Sequence, residues 1–92
     1  MKIVYWRRGE FTYCVNLEKV QSIRIGPRVG NDYAITFILD SGQYIYRVPK
    51  PLSREQVDSL LRLLQACFVL NLDDVIKGLL KEGKTDKGGE GE

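Results

Sequence analysis

Arginine and aromatic side chains are the residues of this chain whose spacing invites a chemical reading. Tyr5, Trp6, Arg7, Arg8, Phe11 and Tyr13 set four aromatics and two arginines within nine residues, around Gly9. Such a pairing suits single-stranded nucleic acid. Rings stack on bases at about 1–3 kcal/mol per base, and guanidinium groups meet phosphates. Arg24, Arg28, Arg47 and Lys50 add to the same half of the chain. Residues 1–50 carry eight Lys/Arg against four Asp/Glu, a net +4, whereas residues 51–92 carry six against eight, a net −2. An anionic partner would be drawn to the first half.

Other chemistries find little support. The chain has no histidine, so it lacks the side chain that most often serves as general base and metal ligand near neutral pH. Cys14 and Cys67 stand alone in sequence and match no metal-ligand spacing; reduced thiols are expected. With no histidine to activate it, Cys14 reads as a small strand residue rather than a nucleophile. The loop Gly26–Asp32 lacks the spacing of a phosphate-binding glycine loop and opens no helix. Asp73 and Asp74 suit the positive end of a helix better than a metal. No enzyme, cofactor or metal is expected.

Ninety-two residues, 43% hydrophobic and 28% charged, make one small globular domain with one modest core. No apolar run approaches the roughly 20 residues of a membrane-spanning helix. Met1–Tyr5 reads as a strand rather than a signal peptide. A cytoplasmic protein, not bound to membrane, is the expectation.

The elements that must position the arginines follow from periodicity. Five strands are predicted: Lys2–Arg7, Glu10–Leu17, Val20–Ile25, Tyr33–Asp40 and Gln43–Val48, with tight loops at Arg8-Gly9 and Ser41-Gly42. Pro49-Lys50-Pro51 ends the sheet. Ser53 and Gln56 form a Ser-x-x-Gln capping box, and Val57, Leu60, Leu61, Leu64 and Phe68 recur at helical spacing after it. A second short helix carries Leu72, Val75, Ile76, Leu79 and Leu80. The glycine- and charge-rich tail, 83–92, reads as disordered, leaving a single domain over 1–82. The expected fold is α+β: an antiparallel five-stranded β-meander followed by two C-terminal helices packed on one face, in two layers. In order of elements alone, with Leu72-Asp73-Asp74-Val75 opening the last helix, the chain resembles whirly-type single-stranded-DNA-binding coactivators and pleckstrin-homology interaction domains. That resemblance is architectural, and no site residue carries over from it.

Turn register assigns the faces. With Arg8-Gly9 as the loop, Arg7 opposes Glu10, and Val4, Trp6, Phe11, Tyr13, Val15 and Leu17 share the core side. With Ser41-Gly42 as the loop, Ile35, Phe37, Leu39, Tyr44, Tyr46 and Val48 join them. The opposite face then displays Tyr5, Arg7, Arg24 and Arg47, with Arg8, Arg28 and Lys50 at its margin. These seven residues are the candidate nucleic-acid-binding site: Tyr5 stacks, and the basic groups contact phosphates. The same residue types also suit an ordinary half-exposed strand face. The alternative is a protein-interaction or self-assembly module, a homodimer through the outer sheet face, with its Ile38–Ile45 pair, and the second helix. Single-stranded DNA or RNA and a second copy of the chain are the expected partners.

Overall fold

Alternating apolar and polar residues produce the strands, and each hairpin turns where a glycine supplies unusual backbone geometry. The computed structural model describes residues 1–91, with side chains through Lys81. Its strands are β1 (Ile3–Arg8), β2 (Phe11–Asn16), β3 (Ser22–Pro27), β4 (Tyr33–Leu39), β5 (Gly42–Val48) and β6 (Val69–Asn71). Helix α1 spans Arg54–Ala66, and α2 spans Leu72–Gly91. The disorder expected for 83–92 concerns residues outside those whose side chains are described.

The α+β class holds, but the single five-stranded meander does not. The strands form two three-stranded sheets, one ordered β2-β1-β6 and the other β3-β4-β5. The break falls after β2. Asn16 Oδ1 accepts the Glu18 N–H at 3.0 Å, and Leu17–Lys19 form a 3-10 turn. This turn carries the chain out of the first sheet instead of returning it alongside β2. The other edge of β1 is taken by β6, a three-residue strand that pairs with it in parallel, Val4 opposite Leu70. Helix α1 therefore stops at Ala66, two residues before the end of the expected stripe, and Phe68 is exposed beside β6 instead of packing in that stripe.

Both hairpin turns lie one residue away from the expected positions. The first loop is Gly9-Glu10, with Gly9 at φ 63°, and Arg8 opposes Phe11 while Trp6 opposes Tyr13. Positive φ is cheap only for glycine, so Gly9 takes the first loop position rather than the second. The second loop is Asp40-Ser41, and Leu39 opposes Gly42 while Phe37 opposes Tyr44. The expected Arg7–Glu10 pair is therefore absent, and Arg7 opposes Thr12. Sliding a turn by one residue moves the pairing by two, so each side chain keeps its face. Phe11 ends up at the tip of its hairpin, 69% exposed, and is not a core residue.

The core is shared by both sheets and both helices. Val4, Trp6 and Val15 come from the first sheet, Ile35, Phe37 and Val48 from the second, Leu60 and Leu64 from α1, and Leu72, Ile76 and Leu79 from α2. Trp6 couples the sheets. Its ring lies 5.7 Å from that of Phe37 and meets Tyr46 edge-on at 5.5 Å, geometries that add about 0.5–1.5 kcal/mol per pair beyond area burial. Leu72, Ile76 and Leu79 are covered within the chain itself, so the apolar face of α2 requires no second subunit.

Capping fixes the helices. Ser53 Oγ accepts the Gln56 N–H, and Gln56 Oε1 accepts the Ser53 N–H, which completes the expected box. Gln56 Nε2 also donates to the Leu79 carbonyl at 2.9 Å, so one side chain starts α1 and ties it to α2. Asn71 Oδ1 accepts the Asp74 N–H at the start of α2. No helix among the described residues is long and apolar enough to cross a membrane.

Candidate anion-binding face

The seven residues singled out from the sequence fall on two surfaces. Tyr5 and Arg7 lie on the outer face of the β2-β1-β6 sheet, where Tyr5 is half-buried between Cys14 and Asn71 and Arg7 is exposed. Arg8 is exposed at the hairpin end of that sheet. Arg24 and Arg47 lie on the outer face of the β3-β4-β5 sheet, with Arg28 in the loop beside it and Lys50 exposed beyond β5. The expected single face joining Tyr5 to Arg24 and Arg47 is therefore divided, because the chain leaves the first sheet at Asn16.

The second surface is the better formed. Its middle strand, β4, presents Ala34 and Thr36 outward. Arg24 flanks Thr36 from β3, and Arg47 flanks Ala34 from β5. Long neighbours on both sides cover the central strand, and Thr36 is only 7% exposed. Above this floor lies an open hollow of about 650 Å³, walled by Arg24, Arg28, Pro27, Val29 and Gln43.

The loop leading into β4 shapes one wall. The Arg28 N–H donates to the Asp32 carbonyl at 2.6 Å, closing a tight turn around Gly30 and Asn31, both at positive φ. The Asp32 carboxylate then lies 4.0 Å from Arg28 and 3.7 Å from Arg47. One acid thus gathers two arginines at the rim. Exposed pairs of this length are worth about 0–1 kcal/mol and yield readily to a stronger anion. Arg24 makes no ion pair among the described residues. Three guanidinium groups and one carboxylate leave the rim net positive, and the floor offers only the Thr36 hydroxyl and apolar surface.

Asp32 and Thr36 are the parts of this face that sequence reasoning missed as such. In sequence Thr36 is an ordinary polar residue of an outward strand face, and only its central strand position buries it. Asp32 reads in sequence as loop punctuation beside Asn31.

A separate carboxylate shows what polar groups do on the core side. Asp73, in the first turn of α2, accepts the Arg7 N–H at 2.9 Å and the Tyr46 hydroxyl at 3.1 Å. Partial burial, reinforced by the hydrogen bond and the negative charge of Asp73, pushes the Tyr46 phenol well above its ordinary value. A phenol held neutral in this way is a structural donor, not an acid near neutral pH. The described residues contain no cluster of His, Cys, Asp or Glu suited to a metal ion. Comparison with protein-family models, with curated proteins and with solved structures finds no match to this chain.

Proposed function

We propose that this chain is a small non-catalytic binding module that takes single-stranded nucleic acid by its phosphates on the outer face of the β3-β4-β5 sheet. The observation supporting the reading is an open hollow lined by Arg24 and Arg28, with Arg47 drawn towards its rim by Asp32, the one acid paired with these arginines among the described residues. A flexible phosphate chain fits an open trough better than a rigid duplex does. Each phosphate would displace Asp32 from a guanidinium with little cost, since that pairing is solvent-exposed. Tyr5 has no place in this version of the site, because it belongs to the other sheet. Sequence preference is therefore expected to be slight, since phosphate contacts carry no base information.

The test is fluorescence anisotropy of a labelled single-stranded oligonucleotide across a salt series. Contacts to about three phosphates predict a log–log salt slope near −2. Arg24→Ala and Arg47→Ala should each weaken binding, while Arg7→Ala and Arg8→Ala should leave it unchanged. Absence of binding at low salt, or equal losses in all four variants, would dismiss this face as the site.

A second reading is a protein-interaction module. It is favoured by Phe68 and Val69, which stand 68% and 64% exposed beside and within edge strand β6. Phe68→Ser would then abolish partner capture without touching oligonucleotide binding.

A further inference from the structure

Strand β2 has an uncovered edge with none of the features that normally keep an edge unpaired. Natural edges carry charges, prolines or bulges, or are very short. Strand β3 carries Arg24 and ends in Pro27, β5 carries Arg47 and runs into Pro49, and β6 has three residues. By contrast β2, Phe11-Thr12-Tyr13-Cys14-Val15-Asn16, has no charge, no proline and no glycine, and its pairing with β1 is continuous and free of bulges.

The ladder identifies which backbone groups face outward. The Leu17 N–H donates to the Lys2 carbonyl at 2.8 Å, one step beyond the Ile3–Asn16 pair. In an antiparallel ladder such hydrogen-bonded pairs alternate with open ones. Phe11, Tyr13 and Val15 therefore spend their N–H and C=O groups on β1, and Thr12, Cys14 and Asn16 point theirs away from it. No described backbone group outside the strand ladders bonds to these three outward positions. Thr12 and Cys14 are exposed, and Asn16 is half-exposed.

From this edge we infer that the occupant is β2 of a second copy, joined about a twofold axis perpendicular to the sheet. Such an axis keeps every side chain on its own face, so residues opposed across it must be an even number of positions apart. The outward triplet satisfies this with itself. Cys14 opposes Cys14, and Thr12 opposes Asn16 on both sides, giving roughly six inter-chain hydrogen bonds. Shifting the register by two residues leaves roughly four. Within the paired strands no like charges meet, because β2 has none; Glu10 and Glu18 flank it in the hairpin loop and the 3-10 turn, beyond the ladder. The product is a continuous six-stranded sheet, β6-β1-β2 joined to its copy. Its central row on the outer face reads Asn71, Tyr5, Cys14, then Cys14, Tyr5, Asn71 of the second copy. This dimer lies away from the Arg24–Arg47 face and does not depend on that face binding anything.

Three measurements on the full chain test the inference. Light scattering over a rising concentration series should reach twice the 10.5 kDa mass of one chain, and Cys14→Lys, which plants a charge on the junction, should return it to one chain. Opposed Cys14 residues would have Cα atoms about 5.5 Å apart, within the range of about 4.4–6.8 Å that a disulfide spans. Copper-phenanthroline, whose Cu(II) takes two electrons from a thiol pair while the two protons pass to water, should cross-link Cys67→Ser chains and fail to cross-link Cys14→Ser chains. Amide exchange on the unmodified chain should slow at Thr12, Cys14 and Asn16 as the dimer forms, which needs no variant to fold. A mass of one chain at every concentration overturns the inference. So does a dimer that survives Cys14→Lys, cross-links through Cys67 alone, or leaves those three amides in fast exchange.

Discussion

Replacing Asp73 with alanine removes a carboxylate that joins both sheets to α2. Two hydrogen bonds go with it, from the Arg7 N–H at 2.9 Å and from the Tyr46 hydroxyl at 3.1 Å. A bond from a backbone N–H to a charged acceptor contributes about 1.5–3 kcal/mol, and partial exposure puts this one at the lower end. The phenol bond adds about 1 kcal/mol. Loss of a negative charge at the helix N-terminus adds a few tenths, about 0.3 kcal/mol. The expected cost is about 2–3 kcal/mol, a large share of the roughly 5–15 kcal/mol available to a domain. For a chain of this size about 2 kcal/mol lowers Tm by roughly 8–16 °C. Tyr46→Phe alone should cost about 1 kcal/mol, since the ring remains and only the hydroxyl is lost. In the double variant the two costs should not add, falling short by about 1 kcal/mol, because the bond between the residues can be lost only once. Thermal melts followed by circular dichroism, with urea titrations for the free energies, provide the cycle. Full additivity, or a Tm for Asp73→Ala within a degree or two of the parent, would show that Asp73 does not clasp the sheets.

Other perturbations test separate parts of the structure. Tyr46 has a raised value in the folded chain and an ordinary one near 10 unfolded, so its stabilising effect is complete below pH 10 and declines as pH rises above it. Urea titrations above pH 10 should therefore show a steeper loss for the parent chain than for Tyr46→Phe. Phe37 is fully buried against Trp6, and Phe37→Ala should cost about 3–5 kcal/mol, read from the urea midpoint. Ser53→Ala, which opens the capping box of α1, should cost about 1 kcal/mol. Gln56→Ala should cost more, because Gln56 also donates to the Leu79 carbonyl, and a thermal melt ranks the two variants.

Much of the local structure is legible in the sequence. Alternation assigned Val4, Trp6, Val15, Ile35, Phe37 and Val48 to the core, and all six are buried. That assignment survives even though both turns sit one residue away from the expected loops, because a one-residue slide of a turn shifts pairing by an even number. Ser53 and Gln56 announce the start of α1 through side chains acting on their own backbone, a purely local interaction. The same locality explains why the arginines are correctly placed on outward strand faces.

Which strands stand side by side is a different kind of information. Class, the strands β1 to β5, the helix starts and the side each residue faces are readable from local pattern, because these depend on neighbours a few positions apart. Long-range packing makes the chain leave the first sheet after Asn16 and brings Val69–Asn71 back to complete that sheet beside β1. A three-residue strand has too little pattern to stand out against the helix before it, and its partner lies more than sixty residues away. That choice of partners divides the tyrosine and arginines of the first hairpin from Arg24, Arg28 and Arg47. The candidate site is consequently an open hollow between Arg24 and Arg28 over Thr36, with Arg47 tied to its rim through Asp32, and the aromatic-basic hairpin serves mainly to bring Trp6 to the centre of the core.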